Sequence, residues 1–406
     1  MNFFYKKITI PYLSKKIGKY GIFFLLLLVF ACSDHIENDK LPLSDFELSK
    51  ETIYNDFKPL WNWYLESTNG GWENNDNGRF SNDDGPAIKA LLELYKLTKD
   101  TRYLEKLKNL VTKLLNNDDI KRGLADQHRG NKILPGWSST RYTKDNSRTI
   151  FLMDDALILI PIIEAYNYLK NTENLSFTSK EWLERAEKEF QLVFKNDWKS
   201  INNTQGYFQD IYYTNDDLNM PMNQYAIVGE LCAVLYKSTG NTVYKEYAIK
   251  TANFLKENLI LKGNSYLWYY RLPSQKYPSI IYDDFSHSQL VWRFIDAMYK
   301  LDLVFNDKDI ELMKGTFKYQ VMDGDKVFWY FGGMFNENTP ATADYLHMEN
   351  AWLHYFYSLA SYDNQIKNIL TRYQYTKGIV YDPNSDFNHI GEFVLLHFAL
   401  GKKYLN

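Results

Sequence analysis

Segments with a helical spacing of apolar residues follow one another from about residue 48 almost to the end of the chain. The links between these segments alternate in length. Short links of turn-forming residues, such as 238–241, alternate with long links rich in Gly, Asn, Asp and aromatic residues, such as 118–153. This alternation indicates helical hairpins joined by long loops, so we expect an all-α protein.

The spacing predicts twelve helices that pair into six hairpins. The helices assigned to the inside begin near residues 86, 154, 222, 286, 345 and 389, at intervals of 68, 68, 64, 59 and 44 residues. A repeat of this size is a unit that buries its apolar face against its neighbours. We therefore expect an (α/α)6 toroid over residues 48–406. A stacked α-solenoid is the competing arrangement, and it is disfavoured because the long loops lie on one side only. The predicted helices are 50–66, 86–98, 102–117, 154–170, 179–196, 222–239, 243–260, 286–302, 307–318, 345–361, 363–372 and 389–401.

Polar pairs, mostly adjacent acids, stand at or just before the starts of four predicted inner helices. The starts of inner helices that share one orientation would gather these residues in one place, forming a bowl lined with carboxylates. Aspartate at a helix start also has a structural use, since it caps free N–H groups and suits the positive end of the helix dipole. Both uses stay open for the four pairs, which are Asp83-Asp84, Asp154-Asp155, Asn223-Gln224 and Asp283-Asp284.

The N-terminus has the features of an export signal. A lysine-rich start precedes a short apolar run at 21–31, and 29–32 resembles a bacterial lipobox ending in Cys32. We expect a signal peptide over 1–31, lipid on Cys32, a polar tether over 32–47 and an outer-membrane lipoprotein exposed at the cell surface. An uncleaved anchor helix is the alternative.

Charge and composition narrow the set of partners. Residues 1–31 contain five lysines and no acid, so the formal net charge of −3 becomes −8 without them. A negative body argues against a nucleic-acid partner. Aromatic residues make up 17% of the chain, a density that suits stacking on sugar rings as well as core packing. We expect a monomer that binds a polysaccharide or oligosaccharide.

Two motifs resemble known carbohydrate-active proteins. The turns at 95–104 and 236–244 are alike, and both resemble the LYxxTGDxxYL turn of six-hairpin glycosidase-like proteins. The segment 151–156, which contains Asp154 and Asp155, resembles the catalytic Asp-Asp pair of glycoside hydrolase family 76, the α-1,6-mannanases. The resemblance implies that one of these carboxylates is the nucleophile and the other the general acid/base. Hydrolysis needs one ionised and one protonated carboxyl group beside the bond.

A second constellation lies at the start of the predicted helix 286–302. Asp284 and His287 fall in one helical turn, where a carboxylate can orient an imidazole for acid-base chemistry near neutral pH. Upstream, Trp268 offers an aromatic surface and Arg271 could bind a uronate carboxylate. We predict catalytic roles for Asp284 and His287, and substrate contacts from Asp283, Trp268 and Arg271.

Further substrate contacts are predicted on the rim. Asp83 and Asp84 are read as a clamp for sugar hydroxyls, and Asn223 and Gln224 as neutral hydrogen-bonding groups. His347 and Glu349 fall within one turn of the predicted helix 345–361, although a structural role is the stronger reading for them. The loop 126–149 has little core-forming pattern, as functional loops often do, and we assign Trp137 and Arg141 to the substrate surface.

The sequence leaves three functions open. The first is a glycoside hydrolase for an α-linked polysaccharide, using Asp154 and Asp155. The second is a uronate-active lyase or C5-epimerase-like enzyme, using His287 and Arg271. The third is a glycan-binding lipoprotein without activity. No histidine spacing suggests a metal site, no phosphate-binding loop is present, and no cofactor is expected.

Overall fold

The structure is a computed structural model. It describes residues 49–67, 72–172, 178–215, 219–274, 280–324, 326–348, 353–376 and 391–405. The predicted signal peptide, the tether, Cys32 and Glu349 lie outside these residues. No helix within the described ranges is both long and apolar enough to cross a bilayer.

Helices form most of the described chain, and eleven of the twelve predicted helices agree with observed ones to within four residues at either end. These helices could be predicted because their apolar residues recur with helical spacing, either on one face or around the whole helix. In chain order the helices are α1 (Lys50–Ser67), α2 (Gly85–Thr98), α3 (Thr101–Asn116), α4 (Asp119–Arg122), α5 (Leu152–Thr172), α6 (Thr178–Leu192), α7 (Ile211–Asn215), α8 (Met222–Thr239), α9 (Thr242–Glu257), α10 (Phe285–Lys300), α11 (Asp307–Thr316), α12 (Asn364–Thr376) and α13 (Gly391–Tyr404).

Six inner elements form a closed ring, which confirms the predicted (α/α)6 toroid. Each inner element contacts the next, and α13 returns to contact α2. Outer helices pack behind them: α3 against α2, α6 against α5, α9 against α8, α12 against the fifth inner element, and α1 against α13. The inner elements are α2, α5, α8, α10, the 3-10 helix His354–Ser361, and α13.

Burial separates inner from outer helices as their sequences predict. In α8 every residue from Met222 to Leu235 is buried, including the free thiol of Cys232. In α3 only one stripe is buried, with Tyr103, Leu107 and Leu114 on it. Pro161 lies inside α5 without ending the helix.

Two boundary predictions were wrong. The helix expected to begin at Pro86 is preceded directly by a π-helical turn, Phe80–Asp84, so Asp83 and Asp84 sit inside continuous helix and not at its free end. The helix predicted at 345–361 does not begin where expected, because residues 347–348 form a strand, and the described part from His354 to Ser361 is a 3-10 helix. Aromatic residues dominate 354–357, and they favour extended or tight backbone over a long α-helix.

Short antiparallel strands, which the sequence hardly signals, occupy several long loops. The loop before α8 forms a hairpin in which Trp198 lies opposite Phe208. The strands are β1 (Trp198–Ser200) with β2 (Gly206–Phe208), β3 (Ile260–Lys262) with β4 (Ser265–Leu267), β5 (Met322–Asp323) with β6 (Lys326–Phe328), β6 with β9 (His347–Met348), and β7 (Met334–Asn336) with β8 (Thr339–Pro340).

Candidate active site

The long loops join the starts of neighbouring inner helices. The first backbone N–H of α5 donates to the Asp210 carboxylate, 2.9 Å away, from the loop that leads to α8. The backbone N–H of Met222, at the start of α8, donates to the Tyr270 carbonyl in the loop that leads to α10, at 2.8 Å. Asp284 and Tyr330 form a backbone bridge in turn. These bonds bring the polar starts of α5, α8 and α10 to one region, as the toroid prediction requires.

Asp154 is fully buried, and neither of its carboxylate oxygens receives a hydrogen bond of ordinary geometry from the described residues. Gly78 lies beside it: a side-chain carbon at this position would sit 3.5 Å from Asp154 Oδ2 and 2.8 Å from Arg141 Cδ. Burial raises the pKa of Asp154 to about 6, against the lowering influence of Arg141 and Ser81. Asp154 is therefore a reactive carboxylate beside one exposed cation, ionised at neutral pH.

Asp155 has a different environment, although it is the next residue. Its carboxylate oxygens accept from the Trp137 backbone N–H at 3.2 and 3.3 Å, and it lies within hydrogen-bond reach of Glu189 on the outer helix α6. Burial raises the pKa of Asp155 well above its usual value, and the charges of Glu189 and Asp119 raise it further. Asp155 therefore tends to stay protonated.

Tyrosines and an arginine connect Asp154 with the start of α10. Burial raises the pKa of Tyr142, and the nearby charge of Asp154 raises it further; Tyr213 and Tyr270 are close enough to contribute. The Arg271 guanidinium lies 5.7 Å from the Tyr213 ring centroid and 5.9 Å from that of Tyr270. This aromatic and cationic surface suits a sugar, whose apolar faces stack while its hydroxyls bind polar groups.

At the start of α10, Asp284 caps the helix and holds His287. The Asp284 carboxylate accepts from the His287 backbone N–H at 3.0 Å, and its Oδ2 lies 2.5 Å from His287 Nδ1. Burial alone would lower the pKa of His287, but the bond to Asp284 outweighs it and the pKa is raised. The Tyr270 ring lies against the imidazole, with centroids 4.9 Å apart. The contact between Asp284 and His287 that the sequence predicted is therefore present, and their acid-base role stays a prediction.

Asp283 lies behind this pair and is fully buried. It accepts from Trp268 Nε1 at 2.6 Å and from the Asp284 backbone N–H at 3.0 Å. Burial and the neighbouring Asp284 charge raise its pKa to about 8. One possible metal-binding atom from each of Asp283, Asp284 and His287 falls within 4.8 Å of the others. Protein donors already occupy the carboxylate oxygens, so this arrangement serves to orient His287.

Several residues predicted to contact substrate are placed elsewhere. Trp137 is 1% exposed, and its Nε1 donates to the Leu114 carbonyl at 3.0 Å while Arg185 covers its ring. Trp268 is fully buried against Phe331 and Asp283. The assignment of both tryptophans to the substrate surface needs correction, because their faces and N–H groups are used by the core.

Three further residues that were predicted to contact substrate on the rim are Asp83, Asp84 and His347. Asp84 is fully buried and accepts from the Tyr64 hydroxyl, and Asp83 lies one residue before it, with 2% exposure. Neither is placed to clamp a sugar from an open rim. His347 lies in β9, stacked on Phe328 and 2.8 Å from Asp323 Oδ2, away from the helix turn that was expected to hold it.

The neutral pair at the start of α8 is buried but lies near the tyrosines. Gln224 donates to the Tyr213 hydroxyl at 3.3 Å, and Asn223 Oδ1 has no hydrogen-bond partner among the described residues. Sequence reasoning missed Glu189, Tyr213 and Asp210. Glu189 lies on a charged outer helix and no local signal distinguishes it. Asp210 directly precedes the short helix α7 and Tyr213 lies in it, within the long link before α8, whose path only the structure reveals.

The chain is similar to known proteins in fold but not in sequence. No protein-family model matches the chain, and no curated protein sequence matches it. Solved structures do. An inactive variant of the α-1,6-mannanase GH76A of Salegentibacter sp. HEL1_6, in which two consecutive aspartates are replaced, was solved with α-1,6-mannotriose. It matches at a TM-score of 0.56 and 15% identity, over 87% of this chain and 99% of the other.

Two other similar structures carry different chemistry in their names. The cellobiose 2-epimerase of Bacillus thermoamylovorans B4167 matches at a TM-score of 0.54 and 14% identity, over 86% of this chain and 98% of the other. A polysaccharide lyase matches at 0.53 and 13%, over 88% and 98%. At such low identity the shared property is the fold: this chain has an (α/α)6 toroid similar to the fold of these solved structures.

Proposed function

We propose that this protein is a glycoside hydrolase that cleaves an α-linked polysaccharide, with α-1,6-mannan as the first substrate to test. One observation carries the proposal: Asp154 is a fully buried carboxylate whose oxygens receive no hydrogen bond of ordinary geometry from the described residues, next to Arg141 and a surface of tyrosines. A similar mannanase was made inactive by replacing two consecutive aspartates, and Asp154-Asp155 is such a pair.

The two carboxyl groups have the protonation states that hydrolysis needs. Arg141 and Ser81 favour the ionised form of Asp154, which can attack the anomeric carbon or stabilise positive charge on it. Asp155 favours the protonated form because of burial and neighbouring acids. A protonated carboxyl donates its proton to the glycosidic oxygen as the bond breaks, so the leaving sugar departs as an alcohol.

A second candidate function rests on the other cluster. His287, held by Asp284, lies against Tyr270 beside Arg271. A lyase or C5-epimerase needs a base for the C5 proton of a uronate and a cation for its carboxylate, and these residues supply both types. The hydrolase is favoured because no hydrogen bond of ordinary geometry from the described residues ties Asp154 into the fold, whereas the carboxylate oxygens of Asp284 are bonded to Ser286 and His287.

The purified protein should be incubated with α-1,6-mannan and with uronate polysaccharides. We expect new reducing ends from mannan without ultraviolet absorbance. Asp154→Asn should lower this rate by at least ~100-fold, the usual size of a lost catalytic group, and leave the circular dichroism spectrum unchanged. Asp145 is an exposed residue of the loop before α5. The Asp145→Asn variant is the matched control and should retain full activity.

Other results would favour the other functions. Absorbance from an unsaturated product, lost in His287→Ala and kept in Asp154→Asn, would replace the hydrolase by the lyase. Inversion at C5 without bond cleavage would indicate the epimerase. Binding of a glycan without any product would leave a carbohydrate-binding protein.

We also propose that the chain is a lipoprotein anchored in the outer membrane through Cys32 and exposed at the cell surface. The lysine-rich start, the apolar run and the lipobox-like residues before Cys32 support this proposal. Mass spectrometry of the N-terminal peptide should show acyl chains on Cys32. A Cys32→Ser variant should move from the membrane fraction to the soluble fraction, and recovery of unmodified residues 1–31 in the wild type would contradict the proposal.

A further inference from the structure

Two buried carboxyl groups lie in contact between the inner helix α5 and the outer helix α6. Asp155 and Glu189 are both fully buried and within hydrogen-bond reach of each other. Glu189 Oε1 is enclosed, yet no N–H or O–H of the described residues donates to it. Two neighbouring ionised carboxylates repel each other when buried, and a buried acceptor without a donor costs free energy. One proton shared between the two groups removes both difficulties.

The surrounding charges decide which group keeps the proton. On α6, Arg185 Nη1 donates to Glu189 Oε2 at 2.6 Å, and Arg185 Nε donates to Asp118 at 3.0 Å. From the loop before α5, Asp155 receives only the Trp137 backbone N–H, at 3.2 Å or longer. A short charge-assisted bond stabilises an anion far more than a long bond from a neutral donor. Arg185 therefore anchors the Glu189 carboxylate, whereas Asp155 has no such charged donor among the described residues.

The cation that acts on Asp155 from the described residues is Arg185, whose shortest bond goes to Glu189. The charged groups around Asp155 are Glu189 and Arg185 on α6, Asp119 on α4, and the adjacent Asp154 on its own helix. Three of these four are acids, and the single cation is bonded to Glu189. Gly136 packs so closely on Asp155 that a side-chain carbon there would lie 2.7 Å from Oδ2. Asp155 is thus confined beside Glu189 in a setting of negative charge.

We propose that Glu189, anchored by Arg185, is a positioning residue that keeps the proton on Asp155, so that the adjacent aspartates start the reaction in opposite protonation states. The catalytic part of this inference rests on the proposed hydrolase function. The shared proton itself does not, since it follows from the contact of two buried carboxyl groups.

The test of the catalytic part is the pH dependence of kcat/KM on mannan. Glu189→Gln removes the negative charge and keeps the shape, so Asp155 should lose its proton at lower pH. We expect the alkaline limb of the profile to move down by about one pH unit or more, the size of a lost like-charge contact. Glu184→Gln, on the same helix but exposed, is the matched control and should leave the profile unchanged. An unmoved limb in Glu189→Gln would overturn the role of Glu189 in catalysis.

The test of the shared proton needs no activity. The asparagine in Asp155→Asn imitates the protonated carboxyl and can donate to Glu189, so the variant should fold. The wild type should lose resistance to urea as pH rises above the usual pKa of an aspartic acid, because burial raises the pKa of Asp155 and the group holds its proton there only in the folded state. This loss should be smaller in Asp155→Asn. Equal pH dependence in the two proteins would refute the shared proton.

The two tests separate two kinds of failure. If no polysaccharide is cleaved but the urea dependence differs as expected, the hydrolase proposal fails and the carboxyl pair stands. If mannan is cleaved but the pH profile of Glu189→Gln matches the wild type, the hydrolase stands and the role of Glu189 fails.

Discussion

Asp84 is a fully buried carboxyl group that accepts a hydrogen bond from the Tyr64 hydroxyl on α1, while its other oxygen is enclosed and has no hydrogen-bond partner among the described residues. Burial raises the pKa of Asp84 to about 7, although the bond from Tyr64 and the charge of Lys113 act to lower it. Burying an ionised carboxylate with so few partners costs free energy, so the folded state binds a proton here more tightly than the unfolded state does.

The direction in which stability changes with pH follows from the difference between the pKa of Asp84 in the folded and the unfolded states. Between about pH 4 and 7 the unfolded chain has released the Asp84 proton and the folded chain has not, so stability falls as pH rises across this window. Asp84 should contribute a slope of up to about 1.4 kcal/mol per pH unit. Asp84→Asn should remove this contribution and be relatively more stable at pH 8 than at pH 5. Urea titrations of both proteins at several pH values measure it; an identical slope would contradict the buried proton.

At the scale of elements, parallel inner helices place like ends together. The acids described above lie near the starts of the inner helices, where the dipole is positive. Lysines lie in the last turns of α2, α5, α8, α10 and α13, where the dipole is negative. Their side chains help to line a cavity of about 930 Å³. The orientation of the helices thus accounts for charge of opposite sign at the two ends of the ring.

Glu93 is the centre of the charge network in this cavity. It is 2% exposed and pairs with Lys403 at 2.8 Å, Lys96 at 3.0 Å and Lys89 at 3.4 Å, which links α13 with α2. Burial acts to raise the pKa of Glu93, but the three lysines together hold it well below its usual value. Each lysine reaches solvent in part, which limits the free energy of any single pair.

Glu93→Gln should therefore destabilise the fold by about 3 kcal/mol, the low end for removing one partner of a buried pair. The loss arises because three ammonium groups keep their positions and lose their common anion. The free energy of unfolding from urea denaturation measures it. Glu105→Gln on the exposed side of α3 should change that free energy by less than about 0.5 kcal/mol. Equal effects of the two substitutions would show that the network contributes nothing.

For the whole molecule, stability depends on closure of the ring of inner elements by α13. α13 fills the gap between α2 and the fifth inner element, and its Leu395, Leu396 and Ala399 are buried there. A chain that ends at residue 390 would expose the apolar faces of both neighbours. We expect it to lose cooperative thermal unfolding and to bind a dye for exposed apolar surface, because no other element can cover those faces.

The opposite truncation is the control. Residues 1–49 and 50–406 separate as two units, so a chain that begins at residue 50 should unfold at the same temperature as the full chain. If removal of 391–406 were tolerated and removal of 1–49 were not, closure of the ring by α13 would not be the source of stability.

Much of the fold could be predicted because its signals are local. The all-round apolar pattern of 222–235 and the striped pattern of 103–114 identify an inner and an outer helix without knowledge of any partner. The segment 345–361 could not be predicted in this way. Its start pairs with β6, and that pairing depends on residues about 20 positions away in the chain.

For the candidate site, the sequence indicated which residues to consider more reliably than it indicated what each residue does. Asp154, Arg141, His287 and Asp284 were singled out, and their roles in chemistry stay predictions: Arg141 lies near Asp154, and Asp284 is bonded to His287. Trp137 was assigned to the sugar surface because tryptophan in a long loop often lies there, but its N–H and ring are used by Leu114 and Arg185. Such partners come from other elements, and no local pattern reveals them.

The amino-acid sequence by itself determined the number, position and polarity of the hairpins, because the spacing of apolar residues along a helix is a property of the chain alone. Tertiary structure decided which environment the side chain of each of two adjacent residues meets. Asp154 and Asp155 are neighbours in one helical turn, yet one faces Arg141 and the tyrosines and the other faces Glu189 on an outer helix. Consecutive side chains on a helix point about 100° apart, and only the packing of loops and outer helices sets which environment each direction meets.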